Sequence, residues 1–235
     1  MYDLAVATTT YFGSYGYVSD SSHRMKYWDW FCESIERTNL DGKKIILIVS
    51  DDGSPIVPEK RKFPFDSEWH VHIEHGGIPF SSPWTVQHAS QYAPWVINAD
   101  SDAYFHPEWA NWLFSVMQRY PEETAFNLFN SPRQTEILGM LEGGKILIKG
   151  SSQEHGRVIS SMDLNTRSNW KPEDWDIRHI PTSRKILVPR VSMIQHTGCY
   201  GLNNVPGGSE DYDPDFPFNH LCGLPDRLAL DTTLV

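Results

Sequence analysis

Two aspartates separated by one residue, Asp100 and Asp102, directly follow the short apolar segment 95–99. The segment is β-prone, and Pro107 suits the first turn of a following helix, so both carboxylates should lie at the carboxyl edge of a sheet. Open α/β sheets bind ligands at that edge, and carboxylates there suit Mg²⁺ or Mn²⁺ together with substrate phosphates. The pair therefore predicts a divalent metal site that receives a diphosphate, although Asp-x-Asp alone is more often a solvated turn.

Polar residues follow two further predicted strands in the same way. Residues 8–11 (TTTY) end the strand predicted at 4–8, and residues 51–54 (DDGS) end the strand predicted at 44–49. Threonine hydroxyls and an aromatic ring can hold a nucleobase, a carboxylate can accept from an imide N–H such as that of uracil, and another can take a ribose hydroxyl. Three converging strand ends favour a nucleotide site, whereas the run 52–54 alone would indicate an Asx turn.

Strands and helices alternate along the chain and would place these strand ends on one sheet. An amphipathic helix at 23–37 separates the first two strands, and this β-α-β order implies a right-handed crossover and a parallel pair. A second helix is predicted at 82–92, with Ser82 as its N-cap and Pro83 in its first turn. Further elements are a helix at 107–120 and strands at 69–73, 95–99, 126–129, 145–149 and 185–189. The pattern predicts an α/β fold with a mostly parallel central sheet flanked by helices.

Length and composition restrict the class of protein. A chain of 235 residues suits one α/β domain, and nine Trp, ten Tyr and eleven Phe exceed the needs of a core, which suggests a binding cleft. The formal charge of −10 works against nonspecific binding to nucleic acid or anionic lipid.

The cysteines and the apolar runs indicate a cellular setting. Cys32, Cys199 and Cys222 are odd in number and lack metal-ligand spacing, so we expect a reduced, cytoplasmic setting and no zinc site. Neither a basic, apolar leader nor a run of about 18 apolar residues is present, so we expect a soluble protein without a membrane span.

In the order and spacing of its motifs the chain resembles the GT-A glycosyltransferases, and among them the inverting, DxD-containing enzymes of the family 2 type. The resemblance covers residues 4–200 and rests on the segments 9–11, 49–54, 100–107, 173–176 and 195–198. It implies the GT-A (nucleotide-diphospho-sugar transferase) fold in a single catalytic domain, 1–235. That domain would comprise a nucleotide-sugar-binding half at 1–106, an acceptor and catalytic half at 107–200 and an irregular C-terminal tail at 201–235.

The resemblance also implies roles for individual residues. Thr9, Tyr11 and Asp52 correspond to residues that bind the nucleotide base. Asp100 would bind the ribose or a water on the metal, and Asp102 would bind the metal itself. The chain departs from the family pattern at residue 50, a serine where another acid or an apolar residue is common.

Two later segments would complete the site. Inverting transfer needs a base opposite the leaving diphosphate, but acids at 173 and 174 also suit the first turn of a helix, and the residues alone leave these interpretations about even. The resemblance implies that Asp174 is the base, with Glu173 as the alternative. It likewise implies that His196 binds the metal or the diphosphate, and Gly198 beside it permits close approach of backbone to a phosphate.

The predicted function is that of a metal-dependent, inverting glycosyltransferase with Mn²⁺ or Mg²⁺ as cofactor. The donor would be a nucleotide-diphosphate sugar, with a UDP-sugar favoured through Asp52. The acceptor would be a hydroxyl of a glycan, a lipid-linked saccharide or a protein, and the acidic charge makes a nucleic-acid acceptor less attractive.

Three alternatives stay open at this stage. One is a retaining GT-A glycosyltransferase, which needs no dedicated base. Another is a nucleotidyltransferase, although residues 8–12 are not a Gly-rich, basic phosphate loop. The last is a non-catalytic module that binds a nucleotide sugar.

Four cations near the first strands have no assigned role, because such charges are usually solvated: Arg24, Lys60, Arg61 and Lys62.

Overall fold

The computed structural model describes residues 1–13, 22–121, 125–130, 136–150, 156–165, 185–198 and 212–222. The elements within these ranges are, in chain order, β1 (Leu4–Thr10), α1 (Ser22–Glu36), β2 (Ile45–Asp51), β3 (Asp66–Val71), α2 (Ile78–Ala89), β4 (Trp95–Asp100), β5 (Ala103–Phe105), α3 (Trp109–Arg119), β6 (Phe126–Asn127), β7 (Ile137–Leu141), β8 (Ile146–Lys149), β9 (Arg157–Ser160), α4 (Ser161–Asn165), β10 (Ile186–Pro189) and β11 (Ile194–His196). Short 3₁₀ turns cover Glu142–Gly144 and Asn219–Cys222.

Most of the strands form one large sheet in the order β3-β2-β1-β4-β9-β6-β10-β8-β7. From β3 to β4 all neighbours are parallel, as the predicted crossover requires. Beyond β4 the neighbours are antiparallel except for β6 and β10. β5 and β11 form a separate antiparallel pair. The predicted α/β class with a central sheet flanked by helices is confirmed. The described strands form a mixed sheet rather than a mostly parallel one, with four parallel and four antiparallel pairs of neighbours, and three of the parallel pairs lie in the half that carries the candidate motifs.

Both faces of β1 are buried because helices cover the sheet on each side. Leu4 and Val6 belong to a cluster with residues of α1 and α3. Ala5 and Ala7 belong to a second cluster with Val86 of α2, and these small residues allow that helix to approach closely. Successive side chains of a strand point to opposite faces, which is why these residues alternate between the two clusters. Each fully buried Leu or Val side chain contributes roughly 1.5–3 kcal/mol to the stability of the fold.

The helix predicted at 82–92 begins one turn earlier than expected. α2 starts at Ile78, after Gly77, whose φ of 79° ends the preceding loop. The carbonyl of Gly77 accepts from the backbone N–H groups of Phe80 and Ser81, which fixes the first turn there. The assignment of Ser82 as N-cap was therefore wrong, and Pro83 lies inside the helix. A proline near the start suits either position, which is why the sequence did not distinguish them.

The other predicted elements overlap observed ones, and the strands that were missed are short. β5, β7, β9 and β11 span three to five residues each, too few for a period to be recognised in the sequence. None of the helices within the described ranges is long and apolar enough to cross a membrane.

Candidate functional site

Three strand ends with polar residues meet at one edge of the parallel strands. β1 lies between β2 and β4, so Thr9 is opposite Ser50 on one side and Asp100 on the other. Thr10 is opposite Asp51. The segments 8–11, 51–54 and 100–102 thus come together, as the sequence predicts, at the edge where α/β sheets bind ligands.

Asp51 holds the turn after β2. Its carboxylate accepts from the backbone N–H of Ser54 at 2.8 Å, from the Ser54 hydroxyl at 2.6 Å and from the Thr10 hydroxyl at 3.2 Å. The Ser54 Oγ in turn accepts from the N–H of Phe12 at 2.7 Å, which ties the loops after β1 and β2 together. The bond from Asp51 reaches the N–H three residues on, so it is not the Asx turn considered for residues 52–54, although it holds the same turn.

Asp52 is enclosed by the loop that leads into α2. Its carboxylate accepts from the N–H groups of Gly76 at 3.0 Å and Gly77 at 2.9 Å, and His75 Nδ1 lies 2.8 Å from Oδ2. Gly53 has a φ of 71°, and backbone atoms of the same loop lie 2.6 Å from where its Cβ would be. Asp52 is only 2% exposed. Its predicted contact with a nucleobase stays a prediction, and in this structure the carboxylate fixes the loop.

Tyr11 and Thr9 line the space next to this loop. The Tyr11 ring stacks on His75, with centroids 3.9 Å apart and planes inclined by 22°. One face of the Tyr11 ring is thereby covered by the residue that contacts Asp52. The Thr9 hydroxyl lies 3.1 Å from the hydroxyl of Thr85, which itself donates to a carbonyl of α2. Tyr11 and Asp52 are therefore linked through His75, whereas the hydroxyl of Thr9 contacts α2.

Asp102 and His196 are brought together by the β5–β11 pair. His196 is opposite Ala103 in that ladder, and Thr197 donates to the Asp102 carbonyl from its N–H at 2.8 Å and its hydroxyl at 2.6 Å. His196 Nε2 lies 3.4 Å from Asp102 Oδ2, with the two side chains 10% and 19% exposed. Both predicted metal ligands are thus positioned side by side.

Gly198 completes this arrangement. A Cβ at Gly198 would overlap Asp102 Oδ2 and would lie 3.0 Å from His196 Nε2. Asp102 Oδ2 and His196 Nε2 can therefore approach residue 198 this closely because it has no side chain. A carboxylate oxygen and an imidazole nitrogen at 3.4 Å are a suitable pair for one divalent ion, and the mixed donor set favours Mn²⁺ over the all-oxygen preference of Mg²⁺.

The segment 212–222 supports the strand that carries His196. Gln195 Nε2 donates to the Asp213 carbonyl at 2.7 Å and to Asn219 Oδ1 at 2.6 Å, and Gln195 Oε1 accepts from the Asp213 N–H at 2.9 Å. Gln195, Asp213 and Asn219 are all buried. Phe216 packs edge-on against Tyr104 of β5. The described part of the predicted irregular tail thus holds β5 and β11 together.

Arg24 connects the two groups of predicted site residues. Its guanidinium donates to the carbonyl of Tyr11, and its charge interacts with that of Asp102. Burial lowers the pKa of Arg24, and the negative charge of Asp102 acts in the opposite direction. An arginine remains cationic under such conditions, so Arg24 keeps a positive charge that acts on Asp102. The sequence contained the residue but no signal that separated it from other cations.

The two predicted bases, Glu173 and Asp174, lie outside the described residues. The structure therefore links Tyr11 with Asp52 through His75, places Asp102 beside His196, and sets Asp100 opposite Thr9 on neighbouring strands.

Comparisons with known proteins identify the fold. A scan against protein-family models finds no match, and a search of curated proteins finds no significant relative. Among solved structures, that of S. aureus TarS 1–349 is similar with a TM-score of 0.52 and 11% identity, over 79% of this chain and 57% of that one. The complex of TarS 1–349 with UDP-GlcNAc gives a TM-score of 0.56 and 13% identity, over 79% and 55%.

A further crystal structure of S. aureus TarS is similar with a TM-score of 0.52 and 11% identity. The match covers 79% of this chain and 35% of that one. The match therefore spans little more than half of the TarS 1–349 chains. The likeness of the large α/β sheet and its flanking helices to these structures shows that the chain has the GT-A fold of glycosyltransferases.

Proposed function

We propose that this protein is a metal-dependent, inverting glycosyltransferase that uses a nucleotide-diphosphate sugar, with a UDP-sugar favoured as donor. The observation that carries the proposal is the pair Asp102 and His196, 3.4 Å apart at the polar edge of a GT-A sheet. The similarity to TarS, whose structure holds UDP-GlcNAc, supports the class of donor. The acceptor would be a hydroxyl group of a glycan or another molecule.

The nucleoside would be held by the residues that follow β1 and β2. Tyr11 offers an aromatic ring, Thr9 a hydroxyl and Asp100 a carboxylate for the ribose. Asp52 would act on the base through the loop that it fixes, because its own oxygens already accept from two N–H groups of that loop. This assignment retains the predicted site residues and changes how Asp52 contributes.

The diphosphate would lie against Asp102, His196 and Arg24. Asp102 and His196 would hold Mn²⁺ or Mg²⁺, which when bound supplies positive charge to the departing diphosphate. Arg24 lies within electrostatic range of Asp102 and adds a fixed positive charge beside the same site. Positive charge placed where negative charge develops in the transition state accelerates such reactions.

The chemical step would be a single in-line displacement. The acceptor oxygen forms a bond to the anomeric carbon as the bond from that carbon to the diphosphate oxygen breaks. The acceptor proton passes to a carboxylate, for which we propose Asp174, with Glu173 as the alternative. Replacement of Asp174 with Asn should then leave donor binding intact and abolish turnover, and normal turnover in Asp174→Asn would move the base elsewhere.

A ligand-binding experiment tests the site without knowledge of the acceptor. Thermal unfolding would be followed with UDP, GDP, dTDP and CMP, each with Mn²⁺, Mg²⁺ or EDTA, for wild type and Asp102→Ala. We expect stabilisation by UDP that requires the metal and is lost in Asp102→Ala. Because stabilisation follows ligand concentration relative to Kd, the titration also ranks the nucleotides. No response to any nucleotide would contradict the proposal.

A further inference from the structure

A second group of metal-ligating side chains lies on β3 and α2, separate from Asp102 and His196. Glu68 and His70 belong to β3 and His88 to the last turn of α2. His70 Nε2 lies 2.7 Å from Glu68 Oε1, and His88 Nε2 lies 3.0 Å from the same oxygen. We propose that Glu68, His70 and His88 form a binding site for a divalent transition metal of the Zn²⁺ type.

The fold explains why these residues meet. Glu68 and His70 are two residues apart on a strand, so their side chains project from the same face of the sheet. α2 returns across that face and presents His88 to them. All three ligand atoms lie within 4.8 Å of one another. The cluster thus depends on the packing of a helix on an edge strand and was not recognisable from spacing in the sequence.

Residues that are not ligands orient each member of the cluster. The Tyr92 hydroxyl donates to Glu68 Oε2 at 2.5 Å, which leaves Oε1 directed at the two imidazoles. The Trp84 ring is stacked on His88 with centroids 5.0 Å apart, and it meets His70 edge-on at 4.9 Å. Metal sites have this organisation, in which outer groups fix the rotamer of each ligand.

The geometry suits three protein ligands with an open position. Ligands about 2.0–2.1 Å from a tetrahedral Zn²⁺ lie roughly 3.3 Å apart, so the separations of 2.7 and 3.0 Å need to widen by only a few tenths of an ångström. The side chains of Glu68, His70 and His88 are 34%, 28% and 21% exposed, which leaves a path for the ion and room for water. Two imidazoles with one carboxylate favour Zn²⁺ and its neighbours over Mg²⁺.

The absence of cysteine spacing argued against zinc in the sequence, but that argument concerned cysteine ligands alone. A Glu and two His side chains form an equally valid donor set. An ion here would join the edge strand β3 to α2, the helix whose first turn follows the loop fixed by Asp52.

The test is a calorimetric titration of Zn²⁺ into the EDTA-treated protein, carried out in Asp102→Ala so that the other candidate site is removed. We expect one tight site per chain, and Co²⁺ in its place should give the absorption bands of a tetrahedral complex. Glu68→Gln and His88→Gln should each abolish tight binding, and Tyr92→Phe should weaken it by about 10–100-fold. The matched control is His220→Ala, an exposed histidine of the 212–222 segment, which should bind as its parent does.

Equal binding in Asp102→Ala with and without His88→Gln would overturn the proposal, as would the absence of tight binding in Asp102→Ala itself. If His88→Gln does not fold, Glu68→Gln decides the question, because glutamine keeps the shape of the side chain and an oxygen for Tyr92. Unfolding curves in EDTA establish that each variant is folded before metal is added.

Discussion

Two aspartates at the same sheet edge, Asp52 and Asp102, are held in opposite ways. Asp52 is 2% exposed, and its oxygens accept from backbone N–H groups of the adjoining loop. Asp102 is 19% exposed, faces the imidazole of His196 and has Gly198 beside it. The difference separates a carboxylate whose oxygens are occupied by backbone N–H groups from one that lies against an imidazole, and our proposal assigns a structural role to the first and a metal-binding role to the second.

The largest effect is expected from Asp102→Asn. Loss of this charged ligand should reduce transfer from a UDP-sugar by about 10²–10³-fold, the range found when one group that stabilises a transition state is removed. Stability should change little, because the carbonyl of residue 102 that Thr197 binds is retained. Steady-state rates with saturating Mn²⁺ and urea unfolding curves measure both quantities. Wild-type rates in this variant would show that Asp102 is not needed for the chemical step.

A loss of stability rather than chemistry is expected from Asp52→Asn. Asparagine has one oxygen and cannot accept from both Gly76 and Gly77 through separate oxygens, so a buried N–H loses its partner. The free energy of unfolding should fall by about 2–3 kcal/mol, measured in urea. Asp41→Asn, an exposed turn residue with φ of 44°, is the matched control and should be nearly neutral. Unchanged stability in Asp52→Asn would show that the carboxylate of Asp52 is not needed to hold the loop.

Gly198→Ala tests whether space beside Asp102 is required. The new methyl group would overlap Asp102 Oδ2 and displace both ligands without removing a polar group. Metal-dependent nucleotide binding should weaken by about 10–100-fold, as when a group that orients a ligand is lost. Gly139→Ala is the control, because its Cβ would lie 3.3 Å from the flexible end of Ile148. Titrations of UDP at fixed Mn²⁺ compare the two, and equal affinities would show that the space is not used.

The smallest effect is expected from Thr9→Val, at the boundary between the two regions. The substitution removes the hydroxyl contact with Thr85 and keeps the β-branched shape on β1. The free energy of unfolding should fall by about 1 kcal/mol, as measured in urea. A parallel fall in UDP affinity is expected from our assignment of the Thr9 hydroxyl to the nucleoside. Unchanged UDP affinity would show that Thr9 has a structural role only.

The sequence predicted the strand ends well because local patterns define them. Apolar runs followed by Thr, Asp or Asp-Gly identified the ends of β1, β2 and β4, and the β-α-β order predicted their parallel pairing. Helices α1 and α3 were recognised from their apolar period. These features depend on residues that are near one another in the chain.

Features that depend on distant residues were not predictable. β5 and β11 pair over three residues each, and neither segment is long enough to show the alternation by which a strand is recognised in a sequence. The two hydrogen bonds that Asp52 accepts from Gly76 and Gly77 depend on where α2 begins, which Pro83 left ambiguous in the sequence. The cluster at Glu68 required the packing of α2 on β3. In each case tertiary contacts decide what a side chain can do.

The attachment of His196 to the segment 212–222 also affects the order of events during biosynthesis. β1, β2 and β4 leave the ribosome before this segment and can pack while synthesis continues, since domains fold progressively from the N-terminus. Gln195, the neighbour of His196, gains these buried partners only when it can meet Asp213 and Asn219, which are translated later. A nascent chain that ends before residue 213 therefore carries β11 and His196 without these hydrogen bonds, and the segment 212–222 steadies them once it has been translated.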